Sequence, residues 1–201
     1  MSDHYYTAKP TSQLRPKEFS TIIFSYRMNF ITGSGVFSIG KLDLGTKLLI
    51  NSAEIKNEEG FDVLDLGCGY GAVGIALKKE NPNVNMVCTD VNIRAVNLTR
   101  DNADKNKVKI KSFTSDIYKK MRELRFDAIL VNLPQNAGKE ICFKMIEGAK
   151  EFLKPNGTLQ TVSRHQKGGK SYEKKMIEVF GNCEYLGKGS GYRVYCSRMS
   201  K

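Results

Sequence analysis

The chain has 201 residues, 40% hydrophobic and 26% charged, enough for one domain with its own core, and no stretch reaches the ~18 consecutive apolar residues a membrane helix requires. Its 32 Lys and Arg against 21 Asp and Glu leave a net charge of +11, which favours an anionic partner, and over half of that excess lies between 138 and 201. Five separated cysteines with no C-x-x-C pair speak against a disulfide framework or a structural zinc and, with no secretory pattern at the start, read as reduced thiols of a cytoplasmic protein.

In chain order, residues 1–20 are polar, with prolines at 10 and 16, and are expected to be loosely ordered. The stretch 21–38 suggests two strand-like pieces around a glycine turn. Asp43 can cap a helix over DLGTKLLINSAEI, whose Leu44, Leu48 and Leu49 form an apolar face. From there strands and helices alternate. Strands are expected at 61–67, 84–90, 109–116, 126–132 and 157–163, and helices at 71–80, 92–106, 138–153 and 169–180. LKPNG (153–157) reads as a helix stop and turn, and 183–188 with 192–198 as a closing hairpin. Such alternation predicts an α/β fold, a parallel sheet covered on both faces. The organisation is a single domain over 1–201: a Rossmann-like core at 59–201 behind a short N-terminal elaboration at 21–58.

The stretch FDVLDLGCGYG (61–71) leads a strand into Gly67, Gly69 and Gly71 and then into a helix. This arrangement is expected to bring a ligand against the backbone and to aim N–H groups at it. Two cofactors fit the glycine spacing, a dinucleotide such as NAD and S-adenosylmethionine. Asp65 argues for the second, because a carboxylate repels a pyrophosphate and attracts an α-ammonium. Asp90, 25 positions on, ends the next strand, where it can accept ribose hydroxyls. Asp116 ends the third, where it can take adenine's amino group while Ile117 gives apolar cover. Cys68 and Val91 complete the candidate cofactor set within the same loops. Each Asp alone reads equally well as a helix cap.

FDAILVNLPQ (126–135) places Asn132, Leu133 and Pro134 just past the fourth of these strands, at the switch point of such a sheet. An exocyclic ring amine is a poor nucleophile because its lone pair is delocalised. The Asn132 amide oxygen and the Leu133 carbonyl can accept its hydrogens, and Pro134 stiffens the turn. These three are the candidate catalytic residues, with Asn132 also bordering the cofactor.

The pattern as a whole resembles the class I S-adenosylmethionine-dependent methyltransferases. More narrowly it is similar to small archaeal relatives of the RsmC-like ribosomal RNA guanine-N2 methyltransferases. GVFS (35–38), LDLGTKLL (42–49), DLGCGYGAVGIAL (65–77), N-x-P at 132–134 with AGKE (137–140), and GYRV (191–194) carry that likeness from about residue 30 to the end. The resemblance implies a seven-stranded sheet with a reversed last strand, S-adenosylmethionine as cofactor and methylation of an exocyclic base nitrogen, most often guanine in ribosomal RNA. It assigns Asp65, Gly67, Gly69 and Gly71 to the methionyl part, Asp90 to ribose, Asp116 to adenine, and Asn132 with Pro134 to the acceptor amine. Two departures stand out. Leu133 replaces the first proline of the common N-P-P-aromatic and Gln135 its aromatic, which leaves the stacking of the base to Phe37 or Tyr70. The extra N-terminal domain of RsmC itself also has no counterpart in the residues before the first strand of the sheet.

Phe37, Gln135, Lys139, Arg164 and Lys167 are the substrate-side candidates. Lys139, Arg164 and Lys167, with Lys170, Lys174 and Lys175, follow the fourth and fifth of these strands and suit RNA phosphate. No metal is expected, His4 and His165 read as surface residues, and monomer and homodimer are both open. The rival readings are a small-molecule or transfer-RNA methyltransferase with the same cofactor site, an NAD-linked oxidoreductase, and a non-catalytic RNA-binding assembly subunit.

Overall fold

A computed structural model describes residues 7–200. Seven strands form one sheet: β3 (Asp62–Leu66), β4 (Asn85–Asp90), β5 (Lys111–Thr114), β6 (Phe126–Asn132), β7 (Leu153–Arg164), β8 (Glu184–Gly189) and β9 (Tyr192–Arg198), in the spatial order β5-β4-β3-β6-β7-β9-β8. The first five run parallel, and β9 runs antiparallel to both of its neighbours. The reversed last strand is thereby borne out. Alternation along the central strands builds two cores. Val63 and Leu130 face one core with α1 (Leu44–Ser52), α2 (Ala72–Glu80) and α3 (Ile93–Lys105). Leu64 and Ile129 face the other, with α4 (Lys139–Phe152), α5 (Lys170–Phe180), Tyr118 and Met121. Strand order runs outward in opposite directions from β3 and β6, so a crevice opens beyond their carboxyl ends.

The N-terminal region departs from the sequence reading. β1 (Pro16–Ile23) and β2 (Tyr26–Gly33) form a separate hairpin, so residues 16–20, expected to be loose, are strand. Residues 8–15 are also tied down: Ala8 accepts from Ile93 N (3.1 Å), Gln13 from the Ser34 hydroxyl (2.9 Å), and Ser12 O from the Arg94 guanidinium. Residues 1–6, with His4, lie outside the described ones. The hairpin turns at Phe24–Ser25 with Phe24 at φ 52°, not at a glycine. Gly35 and Gly40 instead lie in the loop after β2, which Asn92 ties to the end of β4 through Gly35 O. Two asparagines one helical turn apart, Asn102 in the last turn of α3 and Asn106 at its C-cap, dock β2. Asn102 pairs with both backbone groups of Ile31 (2.7 and 2.8 Å), and Asn106 with both of Asn29 (3.0 and 2.8 Å).

α1 starts where expected, Asp43 accepting from Thr46 N at 2.8 Å, but stops at Ser52. The Gln160 amide takes both Glu54 backbone groups at 2.9 Å and so holds residue 54 out of the helix. The LKPNG turn survives as a loop within β7: Leu153 pairs with Phe126 and Thr158 with Ala128, with Asn156 at φ 64° between them.

Candidate active site at the sheet crevice

β3 delivers Asp65 to the crevice almost fully buried, with Oδ2 accepting from Gly74 N at 2.9 Å. A Cβ at Gly74 would come 2.3 Å from Cys88 Sγ, so this glycine lets α2 press against the sheet. Burial pushes the Asp65 carboxyl up to about 7; the Gly74 N–H opposes this and the neighbouring Asp90 charge adds to it. The three loop glycines divide into two kinds. Gly67 and Gly69 have φ of 75° and 58°, and a Cβ on either would meet no atom of the described residues within 4 Å, so both border open space. Gly71, at φ 90°, would drive a Cβ to 2.8 Å from Ile75 and 2.9 Å from Thr99, which makes it a packing position at the start of α2. Cys68 is buried, its sulfur 3.4 Å from the Thr99 hydroxyl, so only its backbone belongs to the loop.

The loop N–H groups are where the sequence reading is corrected. Gly67 N and Cys68 N donate to Thr89 O (2.8 and 2.9 Å), Gly69 N to Asp90 Oδ2 (2.9 Å) and Gly71 N to Cys68 O (2.8 Å). Four donors that a diphosphate would need are turned into the protein. Asp90 ends β4, its Oδ1 accepting from Asn92 N at 2.9 Å. Burial raises its carboxyl to about 6 against the opposing N–H groups of Asn92, Gly69 and Val91. Each oxygen keeps lone pairs for further donors. Val91 is half-buried beside it. Two carboxylates, open space at two glycines and loop N–H groups of Gly67, Cys68, Gly69 and Gly71 already engaged within the protein suit a cationic ligand bearing hydroxyls.

Around this centre, Ser115 N donates to Asp90 O (2.9 Å) and brings the turn after β5 alongside. Asp116 is exposed on that turn and paired with Lys119, while the half-buried Ile117 takes φ 50°, unusual for a β-branched residue. Asn92 caps α3 and donates to Gly35 O (2.8 Å), and Arg94 donates to Ser34 O (2.7 Å). Together they lay the 34–40 loop, with Phe37 39% exposed, beside the end of β4. Tyr70 offers no stacking face: it is buried edge-on against Phe19 and Phe30.

β6 delivers Asn132, whose Nδ2 donates to Thr46 Oγ1 at 2.9 Å and to Asp43 Oδ2 at 3.3 Å. Asp65 pairs in register with Leu130, so the glycine loop that follows β3 and the Asn132 end of β6 leave adjacent strands at the same end of the sheet. The Leu133 side chain is core, which leaves only its carbonyl for the site. That carbonyl already accepts from Gln135 N (2.8 Å) across Pro134, whose φ −76° and ψ 73° form an inverse γ-turn. Gln135 is a clasp: Oε1 accepts from Arg164 N (3.2 Å) and Nε2 donates to Lys167 O. Arg164 lies over the Tyr192 ring, 5.0 Å from its centroid, and Lys167 and Lys139 are exposed, Lys139 5.5 Å from the Phe143 ring centre. Lys175 is spent, paired with Glu147 (3.1 Å) and Glu178 (2.8 Å). His165 sits against the Tyr195 hydroxyl (2.9 Å), and the described residues hold no cluster fit for a metal ion.

Thr46 and Asn92 are residues the sequence reading missed, and Asp43 was visible there only as a helix cap. The LDLGT stretch was the available signal.

The family model described as "Methyltransferase small domain" matches residues 27–196. YbxB of Bacillus subtilis is 35% identical over 96% of this chain and 97% of its own length. That relative is bacterial, where the resemblance had pointed to archaea. The ribosomal RNA small subunit methyltransferase C of Hamiltonella defensa is 35% identical over 80% of this chain but 47% of its own. The Thermus thermophilus 16S rRNA N2 G1207 methyltransferase (RsmC), solved with AdoMet and guanosine, superposes with a TM-score of 0.82 at 28% identity, covering 94% of this chain and 52% of that one. The chain thus spans about half the length of the ribosomal RNA methyltransferases it matches.

Proposed function

Because the chain belongs to the methyltransferase small-domain family and is an S-adenosylmethionine-dependent enzyme of the class I fold, we propose that it methylates an exocyclic base nitrogen of RNA, guanine N2 of ribosomal RNA before others. The observation that carries this reading is the pairing of Asp65 with Leu130 on adjacent strands, two positions before Asn132, which brings an amide and a γ-turn carbonyl to the same end of the sheet as the carboxylate-lined space. Asp65 is assigned the field for the methionyl ammonium, with Gly67 and Gly69 giving room at the backbone, and Asp90 the ribose hydroxyls. The turn of Asp116 and Ile117 is assigned the adenine edge. When bound, the cofactor supplies a methyl group on a sulfonium, and the acceptor nitrogen forms its bond to carbon as the sulfur–carbon pair returns to sulfur.

Asn132 Oδ1 and the second lone pair of the Leu133 carbonyl accept the amine hydrogens and draw the nitrogen lone pair out of conjugation. Positive charge gathers on that nitrogen, so fixed acceptors stabilise the transition state without a strong base, and the surplus proton leaves afterwards to water. Phe37 on the 34–40 loop is the one exposed aromatic among the base-stacking candidates, and Lys139, Arg164 and Lys167 present charge for RNA phosphate. The buried thiols of Cys68, Cys88, Cys142 and Cys196 suit the reducing cytoplasm. None of the described helices is long and apolar enough to cross a membrane.

The test is tritium transfer from labelled S-adenosylmethionine into ribosomal RNA of a strain lacking the protein, followed by nucleoside mass spectrometry. Label in N2-methylguanosine is the expected result, and unlabelled RNA overturns the proposal. A small-molecule acceptor is the second reading, favoured by Gln135 standing where the family pattern has a base-stacking aromatic; it places the label in the low-molecular-weight fraction of an extract.

A further inference from the structure

We propose that Thr46, with Asp43 behind it, is a positioning residue that locks the Asn132 side-chain amide with its oxygen turned outward as the acceptor; this rests on the methyl-transfer reading of the site.

The argument is an accounting of protons. Asp43 Oδ2 receives three donors: Thr46 N at 2.8 Å, the Thr46 hydroxyl at 3.1 Å and Asn132 Nδ2 at 3.3 Å. A carboxylate has no proton to give, so the single proton of Thr46 Oγ1 goes to Asp43, and the hydroxyl oxygen is left able only to accept. Its remaining neighbour is Asn132 Nδ2, at 2.9 Å. Both partners of the amide are therefore acceptors, and rotating it by half a turn would set Oδ1 against two of them. The orientation follows from the acid–base character of the neighbours, with no need to distinguish nitrogen from oxygen by position.

The support is rigid. Thr46 is 6% exposed in the first turn of α1, a helix that Asp43 itself caps. Gly45 sits so close to the next layer that a Cβ there would come 2.8 Å from the Tyr192 ring. Threonine also keeps fewer χ1 states than serine would, so the hydroxyl is aimed before any ligand arrives. The negative charge behind the amide hydrogens polarises the group, which makes Oδ1 a stronger acceptor as the amine nitrogen becomes cationic. Asp43 and Thr46 lie 89 and 86 residues from Asn132, which ties the LDLGT segment to the chemistry rather than to helix capping alone.

The decisive variant is Thr46→Val, which keeps shape and branching and removes the acceptor; Thr46→Ser restores a hydroxyl. With ribosomal RNA from a strain lacking the protein as probe, Thr46→Val is expected to lower kcat about tenfold to a hundredfold while the S-adenosylmethionine Kd stays within about twofold, and Thr46→Ser to recover most of the rate. A second readout needs no turnover: in 15N spectra of the protein alone, the Asn132 Nδ2 protons exchange slowly in wild type and quickly in Thr46→Val. Should the valine variant fail to fold, Asp43→Asn preserves the cap and all three contacts while deleting the charge, and is expected to slow kcat several-fold at unchanged Kd; wild-type kcat there overturns the role given to the charge. Wild-type kcat in Thr46→Val, or unchanged Asn132 exchange, overturns the positioning role. Asn132→Ala separates the layers: full activity in it defeats the methyl-transfer reading of Asn132 itself, whereas loss in Asn132→Ala beside wild-type rates in Thr46→Val defeats only this inference.

Discussion

The glycine-loop side of the crevice and the Asn132 corner are built by opposite means. On the first, the polar contacts are short in sequence: Asp65 to Gly74 spans nine positions, Asp90 to Asn92 two, and Gly69 to Asp90 21. One strand–loop–helix unit and the strand beside it hold both carboxylates. At the second, Asn132 leans on residues 89 and 86 positions away, and Gln135 clasps residues 29 and 32 positions on. A locally closed site arrives as a motif; a site borrowed from α1 and from the turn after β7 exists only once the chain has folded.

If the two regions divide cofactor from acceptor, damage to them separates. The largest effect falls on the acceptor corner: Asn132→Ala is expected to lower kcat about 10²–10³-fold, the scale seen when one preorganised polar partner of a developing charge is removed, with the S-adenosylmethionine Kd unchanged in calorimetry. Asp90→Ala should do the reverse. Loss of hydrogen bonds to a charged acceptor costs about 1.5–3 kcal/mol, a Kd raised roughly tenfold to a hundredfold, with kcat at saturating cofactor largely kept. Variants that move both quantities together would erase the division.

Legibility in the sequence follows the same split. The strand over 126–132 is read at its true bounds because four apolar residues, 128–131, run through a doubly covered position between Asp127 and Asn132. The loop glycines are visible as punctuation, yet their division is not. Whether a missing Cβ meets Thr99 or open space depends on α3, which the motif does not contain. The expectation that loop N–H groups face a ligand fails at Gly67, Cys68 and Gly69 because Thr89 O and Asp90 on β4 take them. Phe24 takes a positive φ in a turn that contains no glycine, and Gln160 ends α1 from 106 positions away. At the loop glycines and at Glu54 a tertiary hydrogen bond or contact outweighs local preference, and the acceptor corner is held by bonds of the same long-range kind.

A third prediction concerns the cost of burying carboxylates on the cofactor side. Asp65 rises from its ordinary 3.8 to about 7. The unfolded chain therefore gives up this proton at lower pH than the folded one. The stabilising contribution is full below about 4 and is lost as pH climbs to about 7. Asp65→Asn, which keeps an acceptor for Gly74 N, should then match the wild type in thermal stability near pH 4 and exceed it by a few kcal/mol at pH 8, the scale of about 1.36 kcal/mol per pKa unit. The same variant should bind S-adenosylmethionine more weakly at pH 8, because the charge that destabilises the free protein is the one that attracts the ammonium. Binding to wild type near pH 6.5 should release protons, visible as a calorimetric heat that changes with the buffer. Equal stability of the two proteins at pH 8 would mean that the carboxylate is solvated in a way its burial and its Gly74 bond do not allow.

The smallest effect distinguishes cations that look alike in the sequence. Lys167 and Lys175 both follow β7, but Lys175 is held by Glu147 and Glu178, whereas Lys167 is exposed and engages Gln135 through its backbone carbonyl alone. Only a cation free to displace counterions from phosphate contributes to salt dependence, at about 0.7 in the log–log slope for each single-strand contact. Lys167→Ala should therefore flatten the salt dependence of ribosomal RNA binding by about that amount and weaken binding severalfold without altering the melting temperature. Lys175→Ala should lower the melting temperature slightly and leave the slope alone. If the two substitutions flatten the slope equally, RNA responds to total charge rather than to the face beside Gln135, and the clasp between the Asn132 corner and the turn after β7 marks no RNA path.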